Sequence, residues 1–210
     1  MKSLKSIIKY QRLPSEYQTV KSLKTYTHSQ DFNLLKLTRT EWGTVNANPS
    51  DSVDFDYNKL YYMAGSGYIR PNPGDLSETI TDHSVAYTQT SSSWWGIGFP
   101  IQVKPSTKYT LGGKQLDGNI TKLVYTLYDN DGHFQSYGQW SANVSILEPT
   151  VTITTTATTK TLIVLVCGTT NGASIYASDL QVVEGQTLPA FQPYGKGAVK
   201  SIGQNLKDLN

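Results

Sequence analysis

The sequence predicts an all-β protein: an antiparallel β-sandwich of jelly-roll type, with a short N-terminal arm and a C-terminal tail. Three observations carry the prediction. Apolar residues alternate with polar or small ones in segment after segment, and a period of two gives a strand one apolar face. These segments recur about every ten residues between turn signals, the spacing of a sandwich rather than of a parallel α/β sheet. Charged residues are only 16 % of the chain while Tyr numbers 14 and Trp 4, which excludes a disordered acidic chain and a helical one. At 210 residues the chain suits one sizeable domain with extensions.

Taken in order, residues 1–31 differ from the rest. Leu4, Ile7 and Ile8 fall at helical spacing among Lys2, Lys5 and Lys9, which permits one short amphipathic helix ending before Pro14. We expect an arm or docking segment there, since three apolar residues make a poor membrane anchor. The sandwich is expected over 32–195. FNLLKLTRTEWG reads as a first strand leading to Trp42, Asn48-Pro49-Ser50 as a loop, and VDFDYN (53–58) as a short strand. In LYYMAGSGYIR the Gly65-Ser66-Gly67 step closes a hairpin. Residues 71–93 are loop-rich, interrupted by one short strand over 85–88, and a loop of that length is commonly functional.

The stretch WWGIGFPIQVKPSTKYTLGG, residues 94–113, reads as strand, turn, strand. Ile97, Phe99, Ile101 and Val103 alternate with Gly96, Gly98, Pro100 and Gln102. Lys104-Pro105-Ser106-Thr107 supplies the turn, because Pro fixes φ and Ser or Thr hydrogen-bonds back to the local backbone. KLVYTLYDN (122–130) is the next strand, and Asp129-Asn130-Asp131-Gly132 is a hairpin turn in preference to a metal loop, which lacks its closing glutamate. A strand over 133–147, a Thr-rich strand and turn over 149–160, and LIVLVC as a central strand buried on both sides follow. After the Asn171-Gly172 turn, Ser174 to Val183 forms the last strand, and 196–210 is a tail.

Several function classes are excluded or disfavoured. A formal net charge of +2 is too small for a nucleic-acid field. No window reaches the roughly 18 apolar residues of a membrane helix, and the N-terminal stretch is too broken for a secretory signal, so synthesis in a cytoplasm is expected. The single Cys167 cannot form an intrachain disulfide, and its apolar setting suits an inert thiol. His28, His83 and His133 lack metal spacing, no nucleophile motif appears, and we expect no enzyme.

What the pattern does offer is aromatic rings among amides. Phe134, Tyr137 and Trp140 stand among Gln135, Gln139 and Asn143, and Trp94-Trp95 opens the strand that carries Gln102. An aromatic ring covers the CH face of a pyranose, while amide side chains both donate to and accept from hydroxyls. The candidate carbohydrate-binding residues are therefore Trp94, Trp95, Gln102, Gln135, Tyr137, Gln139 and Trp140. The alternative for the tryptophans is packing at a sandwich edge. Adjacent strand residues face opposite ways, and Trp95 shares the parity of Ile97, Phe99 and Ile101, so Trp95 is expected on the core side and Trp94 on the open side.

The order Asn33-Leu34-Leu35, PSTKYTL, LVYTLYDNDG, a Trp strand leading to EPT, and YASDLQVVEGQTLPAFQPY resembles the β-jelly-roll carbohydrate-binding modules of bacteriophage tail and baseplate proteins. The resemblance covers about residues 32–195 and is most specific over 178–194. It implies non-catalytic binding of host cell-wall or surface polysaccharide in host adhesion, with many copies or a homo-oligomer on the virion, contacts to other tail or baseplate proteins, and no nucleic-acid or membrane partner. It also implies a structural calcium with Asp179 as a ligand, although the family's acidic partner near the first strand is not evident. The alternatives are a structural tail component making only protein contacts, and the binding module of a polysaccharide hydrolase.

Overall fold

The computed structural model describes residues 33–72, 76–90, 94–115, 120–140 and 148–194. The expected arm over 1–31 and tail over 196–210 lie outside the described residues. Among the described residues there are eleven strands: β1 (Tyr61–Ala64), β2 (Ile69–Arg70), β3 (Glu78–Ile80), β4 (Ser84–Thr88), β5 (Trp95–Gln102), β6 (Lys108–Gln115), β7 (Thr121–Asp129), β8 (Phe134–Gln139), β9 (Thr150–Thr154), β10 (Thr159–Gly168) and β11 (Ser174–Glu184). They make two sheets, ordered β2-β1-β5-β10-β7-β8 and β3-β4-β11-β6-β9. Every paired neighbour is antiparallel. From β5 onward the chain crosses repeatedly between the sheets, as a jelly roll does.

The main core lies between the sheets. Ile97, Phe99 and Ile101 of β5, Leu162, Val164 and Val166 of β10, and Leu111, Leu180 and Val182 of the facing sheet meet there. The other parity of β10, Ile163, Leu165 and Cys167, is equally buried in a second cluster on the outer face of the six-stranded sheet. There Ala47, Val53 and Phe55 cover Met63, Val124 and Tyr128. Alternation therefore marks one buried face for β9, whereas β5 and β10 are buried on both. Cys167 sits deep in the second cluster, and burial pushes its thiol up to about 12.

Two expected strands take another form. Residues 33–41 and 53–58 are extended and alternately buried, with Leu35, Leu37, Val53 and Phe55 inward, yet they form no ladder. They are pinned by separate hydrogen bonds, Leu34 N–H to Val182 O (2.8 Å) and Val53 N–H to Gly132 O (3.0 Å), and by a single bridge between Trp42 and Leu60. Periodicity reports which face is buried and is silent on backbone pairing. Asn33 fixes one such attachment: its amide donates to the carbonyls of Leu180 (3.3 Å) and Gln192 (2.9 Å), while its oxygen accepts from the N–H groups of Leu35 and Val182.

The predicted turns are present. Gly67, Gly132 and Gly172 have positive φ, and Thr107 Oγ1 donates back to Pro105 O at 2.7 Å. Gly132 also has no room for a side chain, because a Cβ there would lie 2.2 Å from Val53 O. That close approach is what lets the covering segment dock onto the β7–β8 hairpin.

Candidate saccharide-binding cleft

The cleft is built where β1 ends, β5 begins and β8 ends. Tyr137 and Gln139 of β8 pair across from Thr126 and Val124 of β7, so their side chains share the outer face with the second cluster. The β1–β2 turn folds over that face. A Cβ on Gly65 would lie 3.1 Å from Val124 Cγ1 and 3.8 Å from the Tyr137 ring, and one on Gly67 would lie 2.7 Å from Phe134 Cδ2. Thr126 Oγ1 and the Tyr128 hydroxyl donate to the carbonyls of Gly65 and Gly67, at 3.5 and 3.4 Å. The turn thereby delivers Tyr68 beside Trp94.

An open cleft of about 540 Å³ results, lined by Ala64, Gly65, Ser66, Tyr68, Trp94, Trp95, Tyr137 and Gln139. Tyr68, Trp94 and Tyr137 are 40 %, 39 % and 54 % exposed, so three of the five large hydrophobic side chains exposed among the described residues gather at this one cleft. Tyr137 rests on Phe134 (centroids 6.4 Å), Phe134 meets Tyr128 edge-on (5.9 Å), and Tyr128 meets Phe55 (4.7 Å). Trp95 is half-buried against Tyr62 of the main core. The buried amide of Gln89 donates to the carbonyls of Trp95 (3.0 Å) and Gly168 (3.3 Å), which fixes the start of β5.

The expected residues divide accordingly. Trp94, Trp95, Tyr137 and Gln139 come together at the cleft, with Trp94 on the open side and Trp95 toward the core, as their parity requires. Trp140 does not. It is 5 % exposed within the main core, because it follows Gln139 by one residue and so takes the opposite face. Gln102 lies at the far end of β5, opposite Thr161, roughly 23 Å along the strand from Trp95. Gln135 sits at the irregularity in the β7–β8 register and spends its amide on Thr156, Thr158 and Thr159. Tyr68 and Ser66 were not among the expected residues. The signal available for Tyr68 was an aromatic one step after a Gly-Ser-Gly turn.

Asp179 stands apart from the cleft. Its φ of 51° belongs to the irregularity in the β11–β6 register, and its carboxylate lies 3.2 Å from Lys114 Nζ, which also reaches Glu148 at 3.2 Å. An ammonium thus occupies the place beside Asp179 where the sequence resemblance implies calcium. Among the described residues, Asp179 belongs to no cluster of three His, Cys, Asp or Glu side chains with their ligand atoms close together. Asp129, Asp131 and His133 do cluster, but Asp129 Oδ1 is taken up by the N–H groups of Asp131 (3.0 Å) and His133 (2.8 Å), the self-bonded turn expected from the sequence.

Fold and site together define a jelly-roll β-sandwich carrying an aromatic-walled surface cleft. No protein-family model matches the chain, and no curated protein is similar to it in sequence. Similar solved structures include "Family 16 Carbohydrate Binding Module-2", at 19 % identity and TM-score 0.35 over 48 % of this chain and 76 % of that one. The CBM22-1 xylan-binding domain of Paenibacillus barcinonensis Xyn10C is similar at 14 % identity and TM-score 0.40, over 70 % and 99 % of the two chains. The enzymatically active domain of bacteriophage CBA120 tailspike protein 4 is similar at 12 % identity and TM-score 0.39, over 72 % of this chain and 22 % of that one.

Proposed function

We propose that this protein is a non-catalytic saccharide-binding module, that the cleft between Trp94, Tyr68 and Tyr137 is its binding site, and that it serves host adhesion as an accessory protein of a phage tail or baseplate. One observation carries the binding reading: three exposed rings, Tyr68, Trp94 and Tyr137, surround one open cleft that also presents Ser66 and Gln139. Rings take the apolar face of a sugar and the hydroxyl and amide groups take its rim, while an exposed aromatic patch of this kind marks an interaction site in its own right. The tail or baseplate setting rests on the ordered sequence resemblance over 178–194.

Single aromatic sites hold sugars weakly, so adhesion at a virion surface would draw on many copies, and linked sites raise apparent affinity by about 10² to 10⁴. The test is retention on purified bacterial cell walls of wild type, Trp94→Ala and Tyr137→Ala. Retention lost in both variants, with unchanged melting, supports the reading. Wild-type protein that binds no wall or glycan while associating with tail proteins establishes the structural-component alternative, and release of reducing sugar would revive a hydrolase.

A further inference from the structure

We infer that the cleft selects electrically neutral glycan and discriminates against both anionic and cationic chains, an inference that rests on the saccharide reading above. Every described residue of the cleft wall is uncharged. So are the described stretches that supply it: residues 60–69, 94–103 and 134–140 contain no Asp, Glu, Lys, Arg or His, in a chain whose charged residues are 16 % of the whole. Burial accounts for this in β1 and β5. It does not in β8, an edge strand whose Ser136, Tyr137 and Gln139 are exposed, since exposed edges ordinarily carry charge, Lys above all.

The rings decide against each sign of charge for a different reason. Their faces are electrically negative, and an anion laid on them would shed hydration with no counter-charge in the wall. A cation is ordinarily drawn to such faces. Here the Arg70 guanidinium already lies 5.6 Å from the Tyr68 centroid and 6.0 Å from that of Trp95, so two of the four rings already hold a cation and are not free for another. Nor is Arg70 a docking point for anions. It is not part of the cleft wall, its Nη1 donates to the carbonyls of Ala47 and Ile69, and its Nη2 donates to Asn48 Oδ1. An uncharged pyranose satisfies both constraints.

The experiment is a glycan array carrying neutral, carboxylated, phosphorylated and amino-sugar glycans, probed with wild type, Trp94→Ala and Tyr137→Ala. The strongest binder is then titrated at about 20 and about 500 mM NaCl, across the range over which screening removes exposed charge interactions. Neutral glycans should dominate, their affinity should change by less than about twofold with salt, and both variants should lose signal while melting as wild type does. Preferential binding of uronate, phosphate or amine glycans that both variants abolish overturns the inference and leaves the saccharide reading standing. Neutral glycans bound equally by the variants overturn it too, because the cleft is then not the site. An array with no binder overturns the saccharide reading itself.

Discussion

The rings of Trp95 and Tyr62 stack 5.1 Å apart with an interplanar angle of 30°. Tyr62 belongs to the main core, so this contact anchors one tryptophan of the pair to the sandwich while its neighbour Trp94 stands 39 % exposed over the cleft. Adjacent residues of one type thus carry separate tasks, and substitution should separate them.

Trp94→Ala should abolish wall or glycan binding, at least about tenfold or 1.4 kcal/mol, and leave the urea midpoint nearly unchanged, as exposed positions do. Trp95→Ala should cost about 2 kcal/mol of stability, roughly half the value of a fully buried aromatic. Paired urea titration and binding measurements on both variants check this. Equal stability losses in the two would contradict the division.

Gly67→Ala should cost about 2 kcal/mol or more, since an L-residue at positive φ carries roughly 1–2 kcal/mol of strain and its Cβ must also displace the Phe134 ring. Phe134 supports Tyr137, so saccharide binding should weaken along with the melting temperature. Calorimetry of the variant with and without ligand reads both effects.

Arg39 is a buried cation, 7 % exposed over the Phe99 ring. Its Nη2 donates to Pro100 O at 2.8 Å, while Nε and Nη1 have no partner. Burial pulls its pKa down to about 10, so it still carries its charge at pH 7 at a cost to the fold. Arg39→Met should therefore exceed the wild type in stability at pH 7 by about 1 kcal/mol, read from the urea midpoint, because no charge is then held out of water. A large loss would show that the guanidinium contributes packing that Met cannot replace.

Cys167 should not react with a disulfide reagent at pH 8 in the native state, because the thiolate is the reactive form and burial holds the group near 12. Full reaction should appear in denaturant. Labelling kinetics then report opening of the second cluster, and rapid native labelling would show that the cover over 45–58 detaches readily.

Much of the architecture was legible in the sequence because strand parity and turn chemistry are local. The alternation Trp95, Ile97, Phe99, Ile101 sorted the tryptophan pair correctly, and LIVLVC identified a strand buried on both faces. Other features needed the third dimension. Val53 and Phe55 alternate as a strand does, yet their partners are side chains of the second cluster rather than a neighbouring backbone. Trp140 was read by composition when parity with Tyr137 and Gln139 already assigned it to the other face. Tyr68 lies far from Trp94 in the chain, and only the fold of the β1–β2 turn over Val124 brings them to one cleft.

The amide of Asn33 ties together two distant stretches of the chain. One side chain joins the first described residue of the sandwich to Leu180 and to Gln192, two residues short of the last described one, so the two ends of the described sandwich meet at a single spot. That spot adjoins β11 of the five-stranded sheet, whereas the cleft opens on the outer face of the six-stranded sheet. A domain gripped at one point can hang from a larger particle or be spliced into another protein's loop without strain on its core. Here the junction of the two ends and the aromatic cleft lie on different layers, so an attachment at one leaves the other uncovered.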